Sequence, residues 1–312
     1  MSEKFNGGRF APATPPLAQA SADLGLLLMA LIWGVNFPLI KASLEQLPPL
    51  AFNALRFPLA AITVFLILKT KGGISWPERA DLPRLIALGL VGNVVYQAFF
   101  IFGMDATHAG NASILLATTP VWTLALSTFR GHEKPGLLVW LGILLTLSGM
   151  SVVVFGGEMA VGVQSSTFKG DILMVGAAVT WSVYSVGSRG MIQKYGSLPV
   201  TAWTLWVGAF GLVILGLPSL VRAPLDQASP LAWFGVAYAG ILAIGLAYVL
   251  WYRGVQRIGN SRTAAYSNLT PLVALAVAWA WLGEIPRPLQ IAGAAVVLGG
   301  LSLARLGRER EG

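Results

Sequence analysis

The sequence predicts an all-α integral membrane protein in which ten transmembrane helices form two inverted five-helix repeats, with both chain ends cytoplasmic. Three observations carry this expectation. Apolar residues make up 55% of the 312 and charged ones only 11%, with a mean hydropathy of +0.70; a water-soluble domain of that composition would expose more apolar surface than water tolerates. The apolar residues gather in ten stretches that approach or reach the roughly 20 residues a helix needs to cross a bilayer. The chain is also written twice: Gly103 answers to Gly254, Thr119-Pro120 to Thr270-Pro271, Glu133 to Glu284, Pro135 to Pro286, Gly142 to Gly293 and Gly149 to Gly300, all displaced by 151 residues.

Taken in order, residues 1–21, rich in Ala, Pro and Ser, form a disordered cytoplasmic tail. The first copy, 22–155, holds spans near 22–40, 49–68, 84–104, 109–129 and 136–155. An external linker follows at 156–170 (GGEMAVGVQSSTFKG), and the second copy, 171–305, holds spans near 171–188, 199–221, 231–252, 259–282 and 288–304. Residues 306–312 are a basic cytoplasmic tail. Continuous spans, without the ten-residue alternation of an outer-membrane barrel, mean helices. Lys4 and Arg9 before the first apolar run imitate a signal peptide, but that run is too long and nine more follow, so it is read as a retained span.

An odd number of spans per copy turns the second copy upside down. Of the 21 Lys and Arg, only Lys41, Lys169, Arg222 and Arg287 fall on the outer side and Arg56 lies inside a span; the other sixteen fall on the cytoplasmic side. The net charge of +8 is therefore topology. It is spread over short loops rather than forming a stripe, so no nucleic-acid partner is expected. There is no cysteine, which excludes disulfides and thiol chemistry.

Asp23 precedes Trp33 by ten residues and Asp171 precedes Trp181 by ten. The carboxylates suit helix N-termini, and ten residues of helix rise about 15 Å, which puts both tryptophans near the midplane. They either fill space between helices or line a solute path. Asn36 and Tyr184 lie one turn further on the same faces. In the third span Asn93, Tyr96 and Gln97 occupy neighbouring turns near mid-depth, where polar side chains turn away from lipid. Arg56 lies about 10 Å deep from the outer side, either snorkelling or bonded to a carbonyl, or facing a substrate carboxylate.

In the fourth and ninth spans, Pro120 and Pro271 cannot donate to the carbonyls of Leu116 and Ser267. The kinks are sealed by Thr118, Thr119, Ser267, Asn268 and Thr270, or they open carbonyls and hydroxyls to a cavity and serve as hinge and gate. Gly110-Asn111 and Gly259-Asn260 suit turns, with Asn111 in reach of the cavity; Glu133 and Glu284 tie down loops. Gly142 with Gly149 and Gly293 with Gly300 let the fifth and tenth helices approach a neighbour closely, either the other half or a second copy of the chain. A monomer is the first expectation and a dimer the second.

The Trp33-Gly34-Val35-Asn36-Phe37 stretch, the Thr-Pro of the fourth and ninth spans and the Glu shortly after each resemble the EamA-type carriers of the drug/metabolite transporter superfamily, over about residues 22–305. That resemblance implies ATP-independent export of amino acids and other small metabolites across the bacterial inner membrane, through a central cavity between the halves. The likeness is greatest to aromatic and neutral amino-acid exporters. The membrane-embedded first-helix Glu of the small multidrug members is missing: Leu24 to Ile40 contains no acid.

The residues argue for the same substrate class on their own. Candidate substrate-binding residues are Trp33, Asn36, Arg56, Asn93, Tyr96, Gln97, Asn111, Trp181, Tyr184, Tyr266 and Asn268, with Pro120 and Pro271 as hinge or gate. A lining of Trp, Tyr, Asn and Gln with one Arg and no deep carboxylate suits neutral or zwitterionic solutes; other metabolites or drugs, such as purines or organic cations, and a passive channel are the alternatives. With His108 and His132 as the sole histidines, and no HExxH, G-x-S-x-G or P-loop, neither an enzyme nor an ATP-driven pump is expected. No cofactor and no metal is expected.

Overall fold

The computed structural model describes residues 16–70, 73, 76–131, 135–159 and 167–311, and among them every regular element is helical. Thirteen α-helices follow in order: α1 Pro16–Leu44, α2 Pro49–Thr70, α3 Leu82–Gly89, α4 Tyr96–Ala106, α5 Ala109–Ala117, α6 Thr119–Phe129, α7 Leu137–Met159, α8 Phe168–Tyr195, α9 Ser197–Arg222, α10 Pro230–Ala237, α11 Ala247–Ser267, α12 Leu269–Leu282 and α13 Pro288–Glu311. Wider π-helical turns, Leu90–Val95 and Tyr238–Leu246, join α3 to α4 and α10 to α11. They occupy the same place in each copy.

Eight helical segments are long and apolar enough to cross a membrane: Ser21–Leu44, Pro49–Thr70, Arg79–Ala106, Ala109–Phe129, Leu137–Phe155, Ser197–Arg222, Pro230–Val255 and Pro288–Gly307. The predicted sixth span lies within α8, which is long enough but less apolar. The ninth is divided at Asn268, leaving the shorter apolar helix Leu269–Leu282. Several predicted borders move outward. Helix α1 starts at Pro16 inside the expected tail, α7 runs to Met159 into the expected linker, and α13 runs to Glu311 into the expected basic tail. The turn expected at Gly259-Asn260 is also absent, since the backbone stays helical from Ala247 to Ser267. One physical reason covers all four: a helix satisfies its own N–H and C=O groups and need not stop where apolarity does.

Equivalent helices of the two copies run in opposite directions where they meet. Along α2 and α9, Ala61 accepts a hydrogen bond from Trp206 Nε1 at 3.3 Å, while Ala54 and Leu50 press on Gly216. Ascending α2 thus descends α9. Helices α7 and α13 pack the same way: a Cβ on Gly142 would stand 2.4 Å from the Ala304 nitrogen, one on Gly149 2.7 Å from the Val297 nitrogen, and one on Gly300 2.7 Å from the Gly142 oxygen. Exchanging the copies turns the Gly142–Gly300 contact into Gly149–Gly293, which is also present, the Gly149 oxygen lying 3.0 Å from a Cβ on Gly293. The small-residue seam therefore joins the fifth helix of one copy to the fifth of the other. The predicted Glu133 anchor lies outside the described residues.

Candidate functional site

Arg56 is 2% exposed. Its depth is stabilised from within: Asn53, one turn earlier on α2, accepts from Nε at 2.9 Å, and Gln97 of α4 accepts from Nη2 at 2.7 Å. The guanidinium carbon stands 5.1 Å from the Phe52 ring centroid and 5.5 Å from those of Phe57 and Phe100. The side chain does not snorkel, and the carbonyls it bonds are the side-chain amides of Asn53 and Gln97. Two of its five N–H donors are used, and among the described residues no carboxylate lies within ion-pairing distance. A buried ion without a counter-ion costs several kcal/mol, so this charge needs a reason.

From Gln97 a line of aromatic and amide groups crosses to the second copy. Tyr96 stands 4.9 Å from Trp181, and Trp181 stands 5.1 Å from Tyr184. The Tyr184 hydroxyl bonds the Thr204 hydroxyl at 3.1 Å, while Asn93, in the first π-helical segment, donates to the Thr204 carbonyl at 3.0 Å. Gly92 leaves room for the Tyr184 ring, which would be 2.4 Å from a Cβ there, and Gly208 leaves room for Asn93, 2.1 Å from a Cβ.

Trp33 heads a second group. Its indole N–H donates to the Ala243 carbonyl at 2.8 Å, in the second π-helical segment, and its ring lies 6.4 Å from Tyr248 and 5.9 Å from Trp251. Tyr266 packs in the same apolar cluster. Tyr248 also lies close enough to act on the Arg56 charge. At the displacement of 151 it answers to Gln97 of the first copy, so a group from each copy faces Arg56.

The equivalent positions differ in what they leave open. Trp181 answers to Trp33, yet its indole N–H has no protein acceptor among the described residues, whereas that of Trp33 is satisfied. Tyr184 and Thr204 bond directly; at the matching places of the first copy stand Asn36, whose Oδ1 is buried without a partner, and Arg56. Asn53, Tyr248 and Thr204 were missed in the sequence. Asn53 was detectable, one helical turn before Arg56.

The remaining candidates lie elsewhere. Asn111, in the first turn of α5, donates to both Asp171 oxygens at 3.4 Å and accepts from Gln290 at 3.0 Å. The Asp171 carboxylate is fully buried, accepting from the Thr107 hydroxyl as well, so it binds α8 to α4 and α5 instead of capping its own helix. Asp23 stands well inside α1, not at its start, with Oδ1 unpartnered. Thr118 and Asn268 interrupt their helices, and Pro120 and Pro271 sit in the first turns of α6 and α12. In the first copy the kink is sealed, with Thr119 Oγ1 donating to the Leu116 carbonyl and Thr118 Oγ1 to that of Leu115, both at 2.6 Å. In the second, the Thr270 hydroxyl is buried without a partner, and Asn268 makes no capping bond with its side chain.

One end of the molecule is fastened across the copies. Gly283 ends α12 in the left-handed conformation (φ 68°), which turns Glu284 back onto the start of α5. Its carboxylate accepts from the Ala109 and Gly110 N–H groups at 3.1 and 3.3 Å and faces His108 at 3.6 Å. Nearby, Lys41 donates to the Met104 and Asp105 carbonyls at 3.1 and 2.7 Å. Burial alone would raise the Glu284 carboxyl, but the bonds from His108, Ala109 and Gly110 outweigh it and hold the group below its ordinary 4.5. A depressed carboxylate adds stability that is complete above the ordinary range and is lost as pH falls through the lowered value. Melting temperature is therefore expected to hold as pH falls from about 7 to about 5 and to drop below the ordinary glutamate range, with Glu284→Gln removing that acid-side drop. An acid-side drop of equal size in the variant would contradict this.

Long apolar helices, repeat-related pairs packed antiparallel and a buried polar cluster where the copies meet define a multi-pass membrane protein built on an inverted repeat. Sequence comparison agrees, the profile of the EamA-like transporter family matching residues 20–155 and again 168–306. The chain belongs to that family and is a transporter, not an enzyme. Similar proteins include an uncharacterized transporter, YdfC, of Bacillus subtilis strain 168 (30% identical, covering 89% of both chains). Others are a probable terminal-alkyne amino-acid exporter of Streptantibioticus cattleyicolor (29%, covering 94% of this chain and 97% of that one) and a probable amino-acid metabolite efflux pump of Salmonella typhimurium (28%, 88% and 91%). A solved crystal structure superposes with a TM-score of 0.66 at 22% identity, covering 94% of this chain and 99% of its own, a likeness of fold.

Proposed function

We propose that the protein is an inner-membrane carrier, independent of ATP, that exports amino acids, aromatic or otherwise neutral, or similar small zwitterionic metabolites by alternating access between the two copies. The observation that carries this is Arg56, a buried cation with no acid beside it and donors to spare. A solute carboxylate would supply the missing charge through a two-pronged, charge-assisted contact. Asn36 Oδ1 is a candidate acceptor for a solute ammonium, and the Trp181 and Tyr96 rings a candidate apolar wall, with the Trp181 N–H a further donor. Relatives named for amino-acid export support the class of substrate.

We place ten crossings in the chain, α8 and the α11–α12 stretch completing the count, with both ends in the cytoplasm on the strength of the sixteen-to-four charge distribution. Fastening of the outer end across the copies by Glu284 supports a form closed on that side. Pro120 and Pro271 are proposed as the hinge points.

Counterflow in proteoliposomes tests the reading. A carrier preloaded with one amino acid accelerates uptake of a labelled one and saturates; a passive channel does neither, and that result would end the proposal. At residue level, Trp181→Phe is expected to lower transport several-fold while melting temperature changes little, and Gln97→Ala to lower both, because Arg56 Nη2 loses its acceptor. Trp33→Phe should instead cost stability, about 1–3 kcal/mol, because the Ala243 carbonyl loses its donor. Equal thermal loss in the two Trp variants would show that both are structural.

A further inference from the structure

At the end of α8 away from Glu284, a recess of about 680 Å³ opens between Arg84 of α3, Arg130 at the end of α6, and Val186, Arg189, Gly190 and Gln193 of α8. Three arginines from three helices thus converge, all solvent-exposed. None of them is in an ion pair among the described residues. Among the described residues the nearby acids are already engaged: Lys194 pairs with Glu78 at 2.7 Å and Asp81 at 2.8 Å, and the Tyr195 hydroxyl donates to the same Asp81 oxygen at 2.5 Å. Arg84 lies close enough to act on Asp81 but donates instead to the Gly187 carbonyl at 3.2 Å, which holds its guanidinium against the recess wall near Gly190. Arg130 stands at the α6 C-terminus, where the helix dipole offsets only about half a charge.

Like charges that converge without an ion pair among the described residues repel, and an anion relieves them. A monovalent carboxylate would leave much of this charge unbalanced. A phosphate group carries nearly two negative charges at neutral pH and matches the guanidinium fork with its oxygens. We propose that the Arg84–Arg130–Arg189 recess is a phosphate-binding site, separate from the Arg56 cluster. Two sources offer that chemistry: the terminal phosphate of a lipid such as phosphatidic acid, since the recess lies at a helix end where headgroups gather, or a soluble phosphate.

Binding is measured on the purified full-length protein in two arms. Inorganic phosphate is titrated against chloride at matched ionic strength in neutral detergent, following melting temperature. Phosphatidic acid retention is counted by native mass spectrometry after reconstitution in phosphatidylcholine with and without it. Each arginine is expected to contribute about tenfold in affinity, so Arg130→Gln/Arg189→Gln should lose about a hundredfold in whichever arm responds. That variant removes no hydrogen bond, so its melting temperature without anion serves as the folding control. A response confined to the lipid arm assigns the site to a headgroup, and one confined to the phosphate arm assigns it to a soluble ion. No response in either arm, or an equal response in the variant, overturns the proposal.

Discussion

Arg56→Gln is expected to reduce transport of carboxylate-bearing substrates by about a hundredfold while leaving a decarboxylated analogue within a few-fold of wild type. The magnitude follows from the surroundings. Removing one partner of a buried charge pair costs about 2–5 kcal/mol, much of it from the partner left unpaired, and about 2.8 kcal/mol is a factor of a hundred. Without a substrate the effect reverses in sign. An unpaired guanidinium in an apolar shell is a burden, so Arg56→Met, which keeps the stem packed on Phe52, Phe57 and Phe100, should leave the empty protein as stable or more so. The pair of results separates roles: a structural arginine loses stability in both variants and loses both substrates equally. That outcome would remove Arg56 from the site.

Gly149→Leu should lower the melting temperature more than any substitution in the polar cluster. A Cβ at Gly149 already meets the Val297 nitrogen at 2.7 Å and the Gly293 oxygen at 2.8 Å, both backbone, so neither can rotate away. Overfilling a close contact costs about 1–3 kcal/mol, and here the helices must separate along their length. Gly299, on the same α13, has nothing within 4 Å of the point a Cβ would occupy. Gly299→Ala should therefore be neutral or slightly stabilising, as helix propensity predicts. Equal losses at the two positions would mean that the seam is not where the copies are held.

Depth was legible in the sequence and azimuth was not. Counting residues from a helix end fixes height to within a turn, which is why Arg56, Tyr96, Gln97, Trp181 and Tyr184 come together at one level. Counting does not say which way a side chain points. Asn111, chosen by the same logic, turns to Asp171 and Gln290. The π-helical turns escape a reading of the sequence because Leu90–Val95 and Tyr238–Leu246 are composed much like any α-helical span, and what sets them apart is contact with other helices, Asn93 with Thr204 and Ala243 with Trp33. Tyr248 is hidden for a related reason: its value lies in facing Arg56 across the interface between copies, which spacing within one helix cannot reveal. The inversion was legible because Gly, Pro and Glu mark the frame and keep one displacement.

The glycine seam has a consequence for how specificity can arise. Because exchanging the copies maps the seam onto itself, it asks nothing different of the two halves; a single sequence inserted in both directions would close it equally well. Joining the halves in one chain releases them from that identity. One half can then carry a bare cation where the other keeps Thr204, and a short amide where the other keeps Tyr184, with no penalty at the seam. Recognition of an asymmetric solute is thus a departure from symmetry that the symmetric frame tolerates.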